Sequence, residues 1–402
     1  MALTSVAPAR TTPSPLDEDT FAVSPLAAEV PSKAPGAAVA LAPTRRIAPA
    51  PTKAKPAASA GLRDYVYLVF ALALLPLGWS IISPENDIQE RLTRTIEANP
   101  DVFSAESADL DSSSFFDRLP GGRFEGAHLP HSTWVHWIYG LISAAIFLGI
   151  IIVAFERGQS TPVSIALVGL CTATAGIVLL LTVQFMAQAT QGVWLPGRGV
   201  GMLVFLVMKL IGFSYNAAED PENGFLLSFF GYTIGVGLCE ELTKALPVII
   251  RCRNGNPFTW RAAVMWGLAS DVGFGVAEGI MYSAQYYNGI QSGEIYLVRF
   301  VSCVALHAVW SASVALLIWT NAEKFEGDLD WPDLAIAALT VLAVPMVLHG
   351  LYDTMLKKDM NLLALATAAA SFVVLALLVE YTRRQQETPE PRRMLATSRS
   401  AG

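Results

Sequence analysis

The chain has 402 residues, 53% of them hydrophobic and only 15% charged, and its mean hydropathy is +0.45. That composition excludes a soluble domain of this size and points to a polytopic membrane protein. A formal net charge of −7 gives no reason to expect a nucleic-acid partner, and the four cysteines (Cys171, Cys239, Cys252, Cys303) include no CxxC pair, so they read as small core residues rather than disulfides or a thiolate metal site.

Residues 1–60 are rich in Ala, Pro, Ser and Thr, as in APARTTPSPL and APAPTKAKPAASA. Such a stretch cannot bury enough apolar area to offset its ordering entropy, so it reads as a disordered tail. It lacks the apolar core of a cleavable signal peptide. A membrane span needs about 20 mostly apolar residues. Nine segments approach that requirement: Asp64–Ser83, Trp134–Phe155, Pro162–Phe185, a shorter Gly199–Tyr215, Phe225–Ile250, Arg261–Tyr286, Tyr296–Thr320, Asp333–Leu356 and Leu362–Tyr381. The acidic connection Pro84–Thr133 contains Ile88, Leu92 and Ile96 at every fourth position. This predicts a short amphipathic helix between Pro84 and Pro100, lying on the membrane surface or on the bundle. Lys and Arg favour the cytoplasmic side. Arg251, Arg253 and Arg261 agree with Arg383, Arg384, Arg392 and Arg393 across four spans, but the basic N-tail does not agree with them across five. Either Gly199–Tyr215, the shortest segment and one carrying Lys209, is re-entrant or interfacial, or the N-tail is outside; the shortness and Lys209 favour the first.

Acids and histidines sit deep inside four successive apolar segments. A charge at bilayer depth costs at least a few kcal/mol, so such groups default to a functional reading. In GYTIGVGLCEELTKALPVIIR, Glu240 and Lys244 share a helix face at i, i+4, and Glu241 lies three residues before the same lysine. One lysine balances one of these carboxylates but not both, which leaves one available as a general base or acid. In the next span Asp271, Phe274 and Glu278 form one helical stripe. Gly231/Gly235 and Gly275/Gly279 each form a GxxxG, which predicts close packing of these two spans. His307 lies in the middle of the following span. His349 and Asp353 share a face at i, i+4 in the eighth, where the acid can orient the imidazole. Were all five acids ionised, Lys244 would leave a residual charge near −4 in low dielectric. A divalent metal with His and carboxylate ligands would relieve it, as would protonating two or three acids. Asp271 reads as a supporting acceptor. Ser302, Ser311 and Ser313 read as interhelical glue, and His128, His131 and His136 as interfacial residues near Trp134 and Trp137. Neither GxSxG nor HExxH occurs.

These motifs resemble those of the PrsW family of intramembrane proteases. EELTK (Glu240–Lys244) matches its E-E-x-x-K, FGVAE (Phe274–Glu278) its F-x-x-x-E, His307 its lone histidine and HGLYD (His349–Asp353) its H-x-x-x-D, in order over residues 225–356. The resemblance implies a protease related to the CAAX-processing and bacteriocin-immunity membrane proteins, resident in a bacterial cell membrane. It would cut membrane-anchored or membrane-proximal proteins, with release of membrane-tethered regulators as one role. Carried over, Glu240 or Glu241 is the base acting on water, Lys244 is its partner, Glu278, His307 and His349 complete the site and are the ligands of any Zn2+, and Asp353 orients His349. The expected architecture is all-α: a transmembrane bundle of about eight or nine spans. It comprises a tail (1–60), N-terminal spans (61–224) around an acidic loop (84–133), a catalytic four-helix core (225–356), a last span (357–382) and a basic polar tail (383–402). Two rivals use the same acids. One is a cation- or proton-coupled transporter, which predicts inverted repeats that the sequence does not show; the other is an inactive helix-binding scaffold.

Overall fold

A computed structural model describes residues 72–82, 88–101, 119, 134–154, 160–254, 259–282, 294–325 and 330–387. The predicted tail, most of the acidic loop, His128 and His131 lie outside these residues. The described residues are helical, with no strand among them. In chain order the helices are α1 (Leu75–Ile82), α2 (Ile88–Ala98), α3 (Val135–Ala154), α4 (Pro162–Ala189), α5 (Val200–Glu219), α6 (Phe225–Arg253), α7 (Trp260–Tyr282), α8 (Val298–Thr320), α9 (Trp331–Lys357) and α10 (Asn361–Glu387). The amphipathic helix expected in the acidic connection is α2.

Seven of these helices are long and apolar enough to cross a membrane: α3, α4, α5, α6, α8, α9 and α10. Helix α7 is as long as they are, with 23 residues, but Arg261, Asp271 and Glu278 dilute its apolar character. Its placement explains how it bears them. Nearly every side chain from Trp260 to Gly279 is buried, because α3 and α4 cover one side and α6 and α8 the other. Helix α8 is its partner in the centre, 83% buried along its apolar stretch against 28% for α3. The outer helices turn Leu141, Phe185, Leu226 and Leu362 outward, as lipid-facing surfaces require.

Two expectations change. Gly199–Tyr215 is not a short re-entrant segment: α5 runs 20 residues, from Val200 to Glu219. Lys209 has a structural partner there. Its ammonium reaches back to the carbonyls of Thr190, Gln191 and Val193 at 3.0, 2.9 and 2.9 Å. It therefore satisfies acceptors that the end of α4 leaves open. The glycine pairs also serve other contacts than the one expected. A Cβ at Gly231 would lie 2.5 Å from the Ala218 nitrogen, and one at Gly235 would lie 2.9 Å from the Tyr215 nitrogen, so this pair seats α6 on α5. A Cβ at Gly275 or Gly279 would meet Val304 or Phe300, so the second pair faces α8. Small residues pack where a partner backbone comes close, and Ser214, Ala217 and Ala218 make α5 the closer partner for α6.

Among the described residues three helices contain a π-helical turn: Thr172–Gly176 in α4, Tyr232–Gly237 in α6 and Val298–Cys303 in α8. Such turns rotate the residues that follow and cluster at functional sites. The turn in α6 ends three residues before Glu240. It lies against α9, where a Cβ on Gly350 would come 2.7 Å from the Thr233 Cα and one on Gly237 2.8 Å from the Met346 carbonyl oxygen. The glycine that follows His349 thus lets α9 approach the backbone of α6, bringing His349 to the paired glutamates.

Candidate active site

The residues of the four motifs converge. Lys244 is at the centre, its side chain 0% exposed. Its ammonium lies 3.1 Å from Glu240 Oε2, 3.1 Å from Glu241 Oε1, 3.4 Å from Asp271 Oδ1 and 2.8 Å from His307 Nδ1. It also sits 4.6 Å from the centre of the Phe274 ring, a cation–π contact that strengthens away from water. One ammonium therefore ties together α6, α7 and α8. Because an ammonium only donates, the Nδ1 of His307 accepts from it and the Nε2 is the nitrogen left for other work.

Glu240 and Glu241 are treated differently by their surroundings. Glu241 is fully enclosed and fully engaged: Lys244 donates to its Oε1, His349 Nδ1 lies 3.1 Å from the same oxygen, and Ser311 Oγ donates to Oε2 at 3.5 Å. The same hydroxyl lies closer to Asp271 Oδ2, at 3.1 Å, so its single proton is shared between the two acids. Lys244's own carbonyl accepts from Ser270 Oγ at 2.7 Å, which pins α7 to α6. Glu240, 6% exposed, has an oxygen with no hydrogen bond, Oε2; the lysine is close enough for an ion pair but not aligned to donate. That atom lies 3.9 Å from His307 Nδ1 and 3.9 Å from His349 Nε2. Asp353 Oδ2, on the more open side at 22% exposed, is 3.3 Å from His349 Nε2.

Glu278 makes its ion pair with a different cation. Its carboxylate pairs with Arg299 Nη2 at 2.9 Å, and the guanidinium lies 4.1 Å from the centre of the Tyr282 ring. Arg299 was not singled out from sequence, although a lone arginine eight residues before His307 in an apolar span is the kind of signal that marks a polar site. Ser311 proves to be more than helix glue, since it joins two of the buried acids. Ser302 keeps that structural role, donating to the Ala73 carbonyl at 2.6 Å. His136, read from sequence as an interfacial residue, is buried and stacks on Tyr296 with ring centres 5.7 Å apart.

One carboxylate and two imidazoles, those of Glu240, His307 and His349, offer ligand atoms that all lie within 4.8 Å of one another. Glu240 Oε2 is buried and without a hydrogen bond, and a donor set of two imidazoles and a carboxylate suits a zinc-type ion. The residues therefore fit a divalent metal.

These features define a polytopic α-helical membrane protein organised around a buried carboxylate–lysine–histidine centre. Residues 189–380, a little under half of the chain, match the family described as PrsW family intramembrane metalloprotease. The matched region runs from the end of α4 into α10 and contains every site residue described above. No curated protein and no solved structure matches the chain.

Proposed function

We propose that this protein hydrolyses peptide bonds in membrane-anchored or membrane-proximal proteins, using water held at the Glu240 Oε2–His307–His349 face. The observation that carries this reading is the asymmetry of the paired glutamates. Glu241 has its oxygens committed to Lys244, His349 and Ser311, whereas Glu240 Oε2 has no hydrogen bond and faces both imidazoles. Glu240 is then the group that handles the water proton, and Glu241 holds Lys244 and His349 in place. Asp353 and Glu241 address opposite nitrogens of His349, so the ring is fixed in its own plane. The His349 ring can then stand beside a developing oxyanion without reorganising, and pre-set polar groups of this kind are the main source of transition-state stabilisation.

Charge supports a cation in the same place. Five carboxylates (Glu240, Glu241, Asp271, Glu278, Asp353) face two fixed cations, Lys244 and Arg299, a formal deficit of three positive charges. Glu240, His307 and His349 would hold a divalent ion such as Zn2+, His349 giving up its Nε2 contact with Asp353 to do so, and the ion when bound would polarise the scissile carbonyl. Substrate approaches from the side of Asp353 and Arg299, the more exposed members at 22% and 13%. Release of membrane-tethered regulators is the role this chemistry suits.

The test compares Glu240→Gln with Glu241→Gln in a cleavage assay on a membrane-anchored reporter, with thermal unfolding alongside. Glu240→Gln should lose at least about 100-fold in turnover, the lower range for an acid–base group, while keeping the unfolding temperature of chelator-stripped wild type. Glu241→Gln should lower both activity and unfolding temperature. The reverse pattern would move the proton-handling role to Glu241, and ion flux through purified protein in liposomes would instead favour a transporter.

A further inference from the structure

Polar contacts at both nitrogens fix an imidazole within its plane but leave it free to roll about the line joining those nitrogens. His349 is held in this way by Glu241 at Nδ1 and Asp353 at Nε2. A roll would leave Nε2 in place but swing its lone-pair direction relative to Glu240 Oε2, so something must hold the ring face. Trp310 of α8 does so. Its indole stacks on His349 with centres 4.3 Å apart and planes 20° from parallel. It also contacts His307, one turn earlier on its own helix, at 5.1 Å. The indole is itself locked: Trp310 Nε1 donates to Ser371 Oγ of α10 at 2.9 Å, and Ser371 Oγ donates to the Thr367 carbonyl at 2.9 Å. Trp310, Ser371 and His349 are all at or below 1% exposed. A buried tryptophan needs a partner for its N–H, and here that partner decides how the indole lies across the histidine.

We propose that Trp310 and Ser371 are positioning residues for the hydrolytic centre, with Ser371 orienting the indole and the indole setting the tilt of the His349 imidazole. This rests on the proposed role of His349 and extends it to α10, a helix that carries none of the four motifs. Both hydrogen bonds and the stack are needed because an active-site group must be held to within about 0.5 Å and 10–20°.

The experiment uses the full chain in nanodiscs and measures three quantities for wild type, Trp310→Leu, Trp310→Phe and Ser371→Ala: kcat and KM on a membrane-anchored reporter, Zn2+ affinity by chelator competition, and unfolding temperature. Leu316→Ala, a core change two turns along α8, controls for loss of packing. Trp310→Leu should lower kcat or Zn2+ affinity by about 10- to 100-fold, the range for partners that orient a ligand, with KM within about 2-fold. Trp310→Phe keeps a flat face and should recover most of the loss; Ser371→Ala should fall between. Leu316→Ala should lower the unfolding temperature without lowering kcat. The inference is overturned if Trp310→Leu keeps kcat and Zn2+ affinity within about 2-fold of wild type, or if its loss tracks unfolding temperature as Leu316→Ala does. Should wild type bind Zn2+ yet cleave nothing, the protease reading fails alone and the affinity series decides this one. A wild type that does neither overturns both.

Discussion

Replacing Lys244 with methionine removes the only permanently charged cation within ion-pair reach of Glu240, Glu241 and Asp271 among the described residues, while roughly preserving side-chain volume. The ammonium is 3.1, 3.1 and 3.4 Å from the three carboxylates, and it is inaccessible to water. Breaking a buried ion pair by deleting one partner costs about 3–5 kcal/mol, because the survivors are left charged and desolvated. Protonation of one acid caps the loss, so the expected destabilisation of Lys244→Met lies in that range rather than at three times it. Equilibrium unfolding in mixed micelles measures it. The stronger test is a double-mutant cycle with Glu241→Gln. Glutamine keeps the shape of Glu241 and can still bond to Ser311, but it has no charge for Lys244 to balance. In that background Lys244→Met should cost less, with a coupling energy of at least about 1 kcal/mol, inside the usual range for residues of one network. If Lys244→Met costs under about 1 kcal/mol, or costs more once Glu241 is neutral, the lysine is not the keystone of the charge cluster and the argument from residual charge falls with it.

Helix seating gives a second, paired prediction. Gly231→Ala puts a methyl 2.5–2.6 Å from backbone atoms of Ala218 and Ser214 that cannot step aside; overpacking of this kind costs about 1–3 kcal/mol, read in the same unfolding assay. Gly275→Ala meets only ordinary contacts, the nearest being Val304 Cα at 3.5 Å, so it should be neutral or gain up to about 1 kcal/mol from helix propensity. Lys209→Met strips three hydrogen bonds from the end of α4 and should lower stability by about 1–3 kcal/mol, leaving the cleavage rate per folded molecule unchanged. A drop in turnover instead would place that helix end in the substrate path.

The sequence foretold most of the polar centre because charges in apolar segments are costly enough to be rare. Glu240, Glu241, Lys244, His307, His349 and Asp353 stood out for that reason, and helical spacing alone put Glu240 with Lys244 and His349 with Asp353. What it did not reveal were contacts that depend on how helices rotate against one another. The glycine pairs announced close packing but not the partner, since any helix with small residues can accept one, and α5 does. Lys209 looked like a sign of a shallow segment because a sequence does not show the three carbonyls at the end of α4 that it satisfies. Arg299 was overlooked beside the histidine it precedes. The π-helical turn before Glu240 was likewise hidden, as one extra residue per turn leaves no mark in the hydrophobic pattern.

That rotation also bears on which acid completes the metal set. Motif order suggests Glu278, whereas the geometry favours Glu240: Glu278 is committed to Arg299 at 2.9 Å, and the group whose ligand atoms lie within 4.8 Å is Glu240, His307 and His349. A ligand that binds only the folded state stabilises it by about 2.7 kcal/mol at 100 times its dissociation constant, so the stabilisation conferred by Zn2+ reports the ligands without needing a substrate. Adding Zn2+ to chelator-stripped wild type should raise the unfolding temperature. Glu240→Gln should abolish that rise, because an amide is a poor substitute for an anionic ligand. Glu278→Gln should retain it, since it removes a partner of Arg299 and no ligand. Retention in Glu240→Gln with loss in Glu278→Gln would mean that the arginine gives up its acid to the metal. The Arg299 pair would then be a resting arrangement, and the open Oε2 of Glu240 would be left free to serve water alone.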